Sequence, residues 1–250
     1  MIKLYRNLVT TFFIVVIIIG NSTCNEKGNT SKNIIIEYPD IIHYEVNVSE
    51  KELNFYSTDD NGIFFENHKN LKSWIEKKNK ELIFAMNGGM YKKDLSPQGL
   101  YIQNGIRKVE LDTQKQGYGN FYLKPNGVFY ITKEKKTFIK TTENYVGDEN
   151  IEYATQSGPM LIIDNKIHPK FNEGSKNVHI RNGVGVLPNG NLLFAMSKKR
   201  INFFRLAKFF KENNCENALY LDGFVSKTYL PSKNWIQEDG KFGIIIAEIK

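Results

Sequence analysis

Apolar positions along the chain follow two periods. Leu71, Trp74 and Ile75 recur at i, i+3 and i+4 within 67–78, and Phe203, Leu206, Ala207 and Phe210 at i, i+3, i+4 and i+7 after Asn202. Each pattern gives a helix one apolar stripe. Asn202 is placed to cap the second helix, which should stop near Asn213-Asn214. Elsewhere the apolar residues alternate or run on over strand lengths: Ile34-Ile35-Ile36, 41–48, 82–86, 100–102, 121–123, 128–131, 160–163, 184–187, 192–196, 218–221, 225–230 and 242–249. Asn-Gly at 104–105, 126–127 and 189–190 lies between apolar runs and predicts three hairpins, because both turn residues tolerate positive φ. Asp164-Asn165, before Lys166-Ile167, is a fourth candidate turn. Together these elements predict a single α+β domain: a mixed or mostly antiparallel sheet, rich in hairpins, with two main helices packed on it.

The amino end has a different character. Lys3 and Arg6 precede an apolar run at 8–20, broken only by Thr10 and Thr11. That run is short of the roughly 20 residues a bilayer span needs and matches the core of a secretory signal over 1–23. Cys24 follows directly, which predicts a bacterial lipoprotein lipidated on Cys24; an ordinary cleaved signal and a retained anchor are the alternatives. Under each reading the domain at 34–250 folds outside the cytoplasm, in the cell envelope, beyond a polar linker at 24–33. The lipid would attach it to the membrane. Cys215 has no obvious partner and reads as a buried, unreactive thiol.

Composition narrows the partners. The formal charge of +7 is spread along the chain, with no basic arm or recognition helix, so nucleic acid is not an expected partner. Two cysteines exclude a disulfide scaffold and a Cys-rich zinc module. The four histidines, at 43, 68, 168 and 179, stand singly, and the aspartates show no calcium-loop pattern. No metal and no cofactor are expected.

Three apolar strands run straight into small and polar residues: Phe84 to Asn87-Gly88-Gly89, Ala154 to Ser157-Gly158-Pro159, and Leu219-Tyr220-Leu221 to Asp222-Gly223. A fourth segment, His179-Ile180-Arg181-Asn182-Gly183, leads into a strand. A strand that stops abruptly holds its last side chain in place, and a following glycine such as Gly88 lets backbone amides approach a ligand. Each motif also has a plain structural use: a tight turn at 87–89, a cap at Asp222, a surface charge at Arg181.

Taken together, Asn87-Gly88-Gly89-Met90-Tyr91, Ser96-Pro97-Gln98-Gly99-Leu100, Ser157-Gly158-Pro159-Met160-Leu161, the 179–185 segment and Asn217-Ala218-Leu219-Tyr220-Leu221-Asp222-Gly223 resemble the phosphodiester glycosidase family. That family includes the lysosomal enzyme that uncovers mannose 6-phosphate by removing N-acetylglucosamine from a phosphodiester. The look is nearest to its small exported bacterial members, linked to exopolysaccharide. The resemblance spans about residues 82–231. Members nearer the animal enzyme carry Asp-Gly-Gly-Gly-Ser where this chain has Asp222-Gly223-Phe224-Val225-Ser226.

The resemblance implies a hydrolase acting on a glycan or glycosyl-phosphate substrate. Its transition state would be oxocarbenium-like, with a phosphate ester leaving as a stable anion. Arg181 offers a planar fork for two phosphate oxygens. His179, two residues away, would share its face on a strand and could donate to the phosphate or move a proton. Lys227 is a weaker cation. Asp222 would stabilise the anomeric cation or activate water, with Ser226 bonded to it or to the sugar. Asn87 suits a sugar hydroxyl or acetamide, and Ser157 is a further contact. Asp94 and Glu173 are candidates for the second carboxylate of an ordinary glycosidase. The rival reading is a glycan-binding or envelope-assembly lipoprotein that kept the fold without turnover; Phe224-Val225 favours it.

Overall fold

The computed structural model describes residues 34–147, 150–221 and 225–250. The expected signal at 1–23 and lipidation at Cys24 lie outside the described residues, as do Asp222, Gly223 and Phe224. In chain order the strands are β1 (Ile41–Val46), β2 (Glu52–Tyr56), β3 (Leu82–Asn87), β4 (Tyr101–Gln103), β5 (Ile106–Val109), β6 (Gly127–Thr132), β7 (Thr137–Thr141) and β8 (Ile151–Ser157). They continue as β9 (Met160–Ile163), β10 (Lys166–Ile167), β11 (Asn182–Val186), β12 (Leu192–Ser197), β13 (Asn217–Tyr220), β14 (Thr228–Leu230), β15 (Trp235–Ile236) and β16 (Ile245–Ile249). The helices are α1 (His68–Lys77) and α2 (Phe203–Glu212).

The strands form three sheets, not one, ordered β1-β12-β11-β13-β9-β10, β15-β14-β3-β16-β2 and β5-β4-β8-β6-β7. Every pairing among the described residues is antiparallel. Phe84, Phe129, Phe194, Leu219 and Ile246, from all three sheets, share one central core. Residues 35–250 form one compact unit.

The long apolar runs follow from burial on both faces. In β12, Leu192, Phe194 and Met196 face the central core, while Leu193 and Ala195 pack with Leu206, Ala207 and Phe210 of α2. In β16, Ile246 faces the centre while Ile245, Ala247 and Ile249 pack with Leu71 and Ile75 of α1. Each helix thus closes the outer face of one sheet. Both begin with an asparagine cap: Asn67 Oδ1 accepts from Asn70 N–H and Asn202 Oδ1 from Arg205 N–H, each at 2.9 Å. Among the described residues, no helix is long and apolar enough to cross a membrane.

Asn104-Gly105 and Asp164-Asn165 turn with positive φ at both residues (52° and 72°, 46° and 63°), and Asn189-Gly190 with positive φ at Gly190 alone. Asn126-Gly127 is not a hairpin turn. Residues 120–122 form a short 3-10 turn, and Gly127 opens β6 between β7 and β8. A Cβ on Gly127 would sit 2.4 Å from Met160 Sδ and 2.6 Å from Lys140 O, so this glycine serves close packing. Residues 34–36 form no strand; Ile36 is tied to Asn213, which closes α2. The expected last strands are shorter, at 228–230 and 245–249.

His68, the first residue of α1, is fully buried against Phe242, with Nδ1 2.8 Å from Gln237 O. A carbonyl can only accept, so Nδ1 carries the proton. Burial pushes the imidazole down to about 4. The native state therefore keeps His68 neutral at pH values where the unfolded chain protonates it. Its contribution is complete above about 6.5 and falls as pH drops towards 4, by about 3 kcal/mol. We expect urea midpoints to fall between pH 7 and pH 4, with a shallower fall in His68→Asn, which keeps a donor for Gln237 O. An unchanged slope would assign the titration elsewhere.

Candidate active site

The strand ends singled out by the sequence meet at one place. Asn87 ends β3, Asn182 opens β11, and Leu221 directly follows β13. Gly89 N–H donates to Leu221 O at 2.9 Å, and Leu221 N–H to Asn182 O at 3.3 Å. Asn87, Arg181 and Asn182 are completely buried.

Two side-chain amides form the centre. Asn87 Oδ1 accepts from Asn182 Nδ2 at 3.0 Å and from the Lys227 backbone N–H at 2.8 Å, and Asn182 Nδ2 also donates to Asn87 O at 2.9 Å. A backbone N–H can only donate, which fixes the orientation of the Asn87 amide and through it that of Asn182. One donor and one acceptor are left over: Asn87 Nδ2 and Asn182 Oδ1 are buried with no partner among the described residues. Leaving such a group unmatched costs about 1–3 kcal/mol. In native proteins a buried polar atom of this kind asks for a functional explanation, a ligand or an ordered water.

Arg181 directly precedes Asn182, and its side chain packs among Phe203 and Tyr220. Its Nε donates to Ile201 O at 2.9 Å, and its Nη2 to Asn177 O at 3.0 Å and Asn177 Oδ1 at 2.8 Å. Its guanidinium carbon sits 3.5 Å from the Phe203 ring centroid and 5.5 Å from that of Tyr220. The fork expected to grip two phosphate oxygens therefore has Nε and Nη2 tied to the protein. The guanidinium is a fixed buried positive charge.

The other residues fall around this centre. His179 bridges the backbone of Ile201, but its side chain is exposed where Arg181 is buried, and β11 begins only at Asn182. Desolvation, then the charges of Arg181 and Arg200, hold the His179 imidazole below its usual value. It is thus neutral at pH 7, able to accept a proton. Ser226 is buried and its Oγ donates to Ile180 O at 3.2 Å. Lys227 Nζ pairs with Asp239 at 2.8 Å.

The Gly88 amide is not turned towards a ligand: Gly88 N–H donates to Ile244 O at 2.9 Å. Here glycine allows close packing, since a Cβ on Gly88 would meet Ile246 Cγ1 at 2.3 Å and one on Gly89 would meet Thr155 Oγ1 at 2.2 Å. Thr155 Oγ donates to Gly88 O at 3.3 Å. Ser157 lies two residues further along β8, on the same strand face; it is buried, with no partner for Oγ among the described residues. Asp94 is exposed and accepts from Ser96 N–H and Oγ within its own turn. Glu173 is exposed and contributes its carbonyl to Asn202 Nδ2. Neither carboxylate bonds to the amide pair. Among the described residues, no group of three His, Cys, Asp or Glu is placed to hold a metal ion.

Asn182 is the functional candidate that sequence reasoning passed over. Its signal was an amide opening the otherwise apolar run Gly183-Val184-Gly185-Val186. The roles of Thr155 and of the Lys227 backbone N–H carry no sequence signal, because they depend on which strands become neighbours.

Uncharacterized protein YigE of Escherichia coli (strain K12) is 40% identical over 147 residues, which cover 58% of this chain and 57% of that protein. The match thus spans little more than half the length of that relative. The catalytic domain of zebrafish N-acetylglucosamine-1-phosphodiester alpha-N-acetylglucosaminidase, auto-inhibited by its pro-peptide, superposes with a TM-score of 0.50 at 16% identity. That match covers 82% of this chain and 87% of the zebrafish chain. A hypothetical protein from Synechocystis superposes with a TM-score of 0.53 at 11% identity, covering 84% of this chain and 59% of its own. At such identities the two structures share the fold alone. The family model for phosphodiester glycosidases matches residues 80–243, from just before β3 to just before β16. This chain belongs to the phosphodiester glycosidase family.

Proposed function

We propose that this protein is an exported, lipid-anchored hydrolase that releases a sugar, such as an N-acetylglucosamine-like residue, from a glycosyl phosphodiester in an envelope polymer or exopolysaccharide. The oriented amide pair carries this reading. Asn87 Nδ2 and Asn182 Oδ1 leave one donor and one acceptor unmatched, which suits a sugar hydroxyl or an acetamide. The buried charge of Arg181, one residue before Asn182, favours the electron pair that leaves with the phosphate. The bond broken is that between the anomeric carbon and the phosphate oxygen. Water supplies the new oxygen, and its proton passes to the neutral imidazole of His179 or to solvent. The departing phosphate ester needs no strong acid, which fits a centre with more amides than carboxylates. Asp222 is assigned from its place in the Leu221-Asp222-Gly223 motif as the group that supports the anomeric cation or activates the water. Ser157 and Ser226 complete the surroundings.

The test is release of free sugar from an N-acetylglucosaminyl phosphodiester by the purified protein. Wild type should turn over, and Asp222→Asn should lose about 10²–10⁴-fold, the usual worth of a positioned acid–base group. A folded wild type that releases nothing from any glycosyl phosphodiester yet binds glycan would replace this reading with the non-catalytic one, to which Phe224-Val225 and the complete burial of the amides lend support.

A further inference from the structure

A charged recess lies along β1. It measures about 210 Å³ and is lined by Glu37, His43, Lys198, Lys233 and Trp235, among others. Two lysines from distant parts of the chain converge here. Lys198 follows the end of β12, and Lys233 lies in the turn between β14 and β15. Neither ammonium has a carboxylate within 4.0 Å among the described residues. Lys233 Nζ instead donates to His43 Nε2 at 3.1 Å, and His43 is nine-tenths buried. Nε2 must offer its lone pair there, so the imidazole is neutral. Burial and the two lysines hold His43 below its usual value, while Glu37 and Glu45 act the other way. The carboxylate lining the recess, Glu37, is 3.8 Å from His43 and 77% exposed. With the single exposed carboxylate of Glu37 set against two ammonium groups, the recess keeps a net positive charge that a bound anion would balance.

The position of the recess suggests what the anion is. Lys198 is the next residue after Ser197, whose Oγ accepts the Arg181 backbone N–H at 2.9 Å. The recess therefore adjoins the segment that holds the candidate active site. We propose that Lys198 and Lys233 form a secondary anion subsite, which takes a further phosphate of a phosphate-bearing glycan polymer while one of its linkages is cleaved at the candidate active site. This rests on the glycosyl-phosphodiester reading above. It adds that the substrate is a polyanion engaged at more than one repeat.

Two measurements test it. In the first, a small glycosyl phosphodiester is compared with an oligosaccharide carrying several phosphodiesters, using wild type and the Lys198→Gln/Lys233→Gln double variant. The subsite predicts a KM for the oligomer raised about tenfold or more in the variant, with kcat and the small substrate's kinetics unchanged. Equal KM values for the oligomer would overturn it. The second does not depend on turnover. The chain has two tryptophans, so their indole N–H signals can be followed while inorganic phosphate is added at constant ionic strength. Trp235 should shift and Trp74 stay, with the Trp235 shift lost in the double variant. No shift, or equal shifts in wild type and variant, would remove the subsite even if the small substrate is hydrolysed. Should wild type hydrolyse neither substrate while Trp235 still responds, the enzymatic reading fails and the anion site stands.

Discussion

Asn87→Asp is expected to fold and to lose about 30–1,000-fold in sugar release, whereas Asn87→Ala should lose stability as well. The difference follows from the wiring of the amide. Aspartate keeps an oxygen where Oδ1 accepts from Asn182 Nδ2 and Lys227 N–H, so neither donor is stranded. What it removes is the Nδ2 donor, the one donor in the pair that the protein itself leaves unmatched. If that donor serves the substrate, its loss is worth about 2–4 kcal/mol of transition-state binding. Alanine strands the Lys227 N–H instead, while Asn182 Nδ2 keeps only its bond to Asn87 O. A buried donor without an acceptor costs about 1–3 kcal/mol, a sizeable part of a typical domain's stability. Urea unfolding separates the two variants, and sugar release measured on the folded fraction tests the catalytic part. Full turnover by Asn87→Asp would show that the leftover donor never meets substrate.

Arg181→Lys should be strongly destabilising although it keeps the charge. The guanidinium is clamped by Ile201 O, Asn177 O and Asn177 Oδ1 and stacked on Phe203. A lysine carries the charge but cannot reproduce a planar fork or its stacking. With the hydrogen bonds of a charged group worth about 1.5–3 kcal/mol each and a desolvated cation–π contact about 2, a loss of roughly 3–5 kcal/mol is expected. For a chain of this size that lowers Tm by about 10 °C or more. Turnover below the melting range separates structure from chemistry. Arg181→Lys should retain more activity than Arg181→Met, because it keeps the positive charge beside the departing phosphate. Equal activity of wild type and Arg181→Met would reduce Arg181 to a purely structural residue.

How far the sequence carried the structure varied with the kind of signal. The stripes at 71–75 and 203–210 specify helices directly, since only one face of each is apolar, and the Asn202 cap follows from asparagine chemistry, whereas the Asn67 cap emerges only in the structure. Strands were legible as apolar runs, yet their division into three sheets was not. A run buried on both faces, such as Leu192-Leu193-Phe194-Ala195-Met196, says nothing about which partner lies on either side. Asn126-Gly127 shows the same limit in a turn motif: the dipeptide that reverses a chain at 104–105 allows close packing at 126–127. At the site, the meeting of β3, β11 and the end of β13 was legible from polar residues at apolar strand ends. The burial of Arg181 was not, because the aromatic rings that enclose it come from 203 and 220.

The main-chain N–H of Lys227 sets the direction in which the Asn87 amide points. A polarity dictated by backbone is indifferent to the side chain mounted on it. Position 227 can therefore drift among nineteen amino acids while the recognition chemistry stays the same, and the one residue it cannot accept is proline, which has no hydrogen to give.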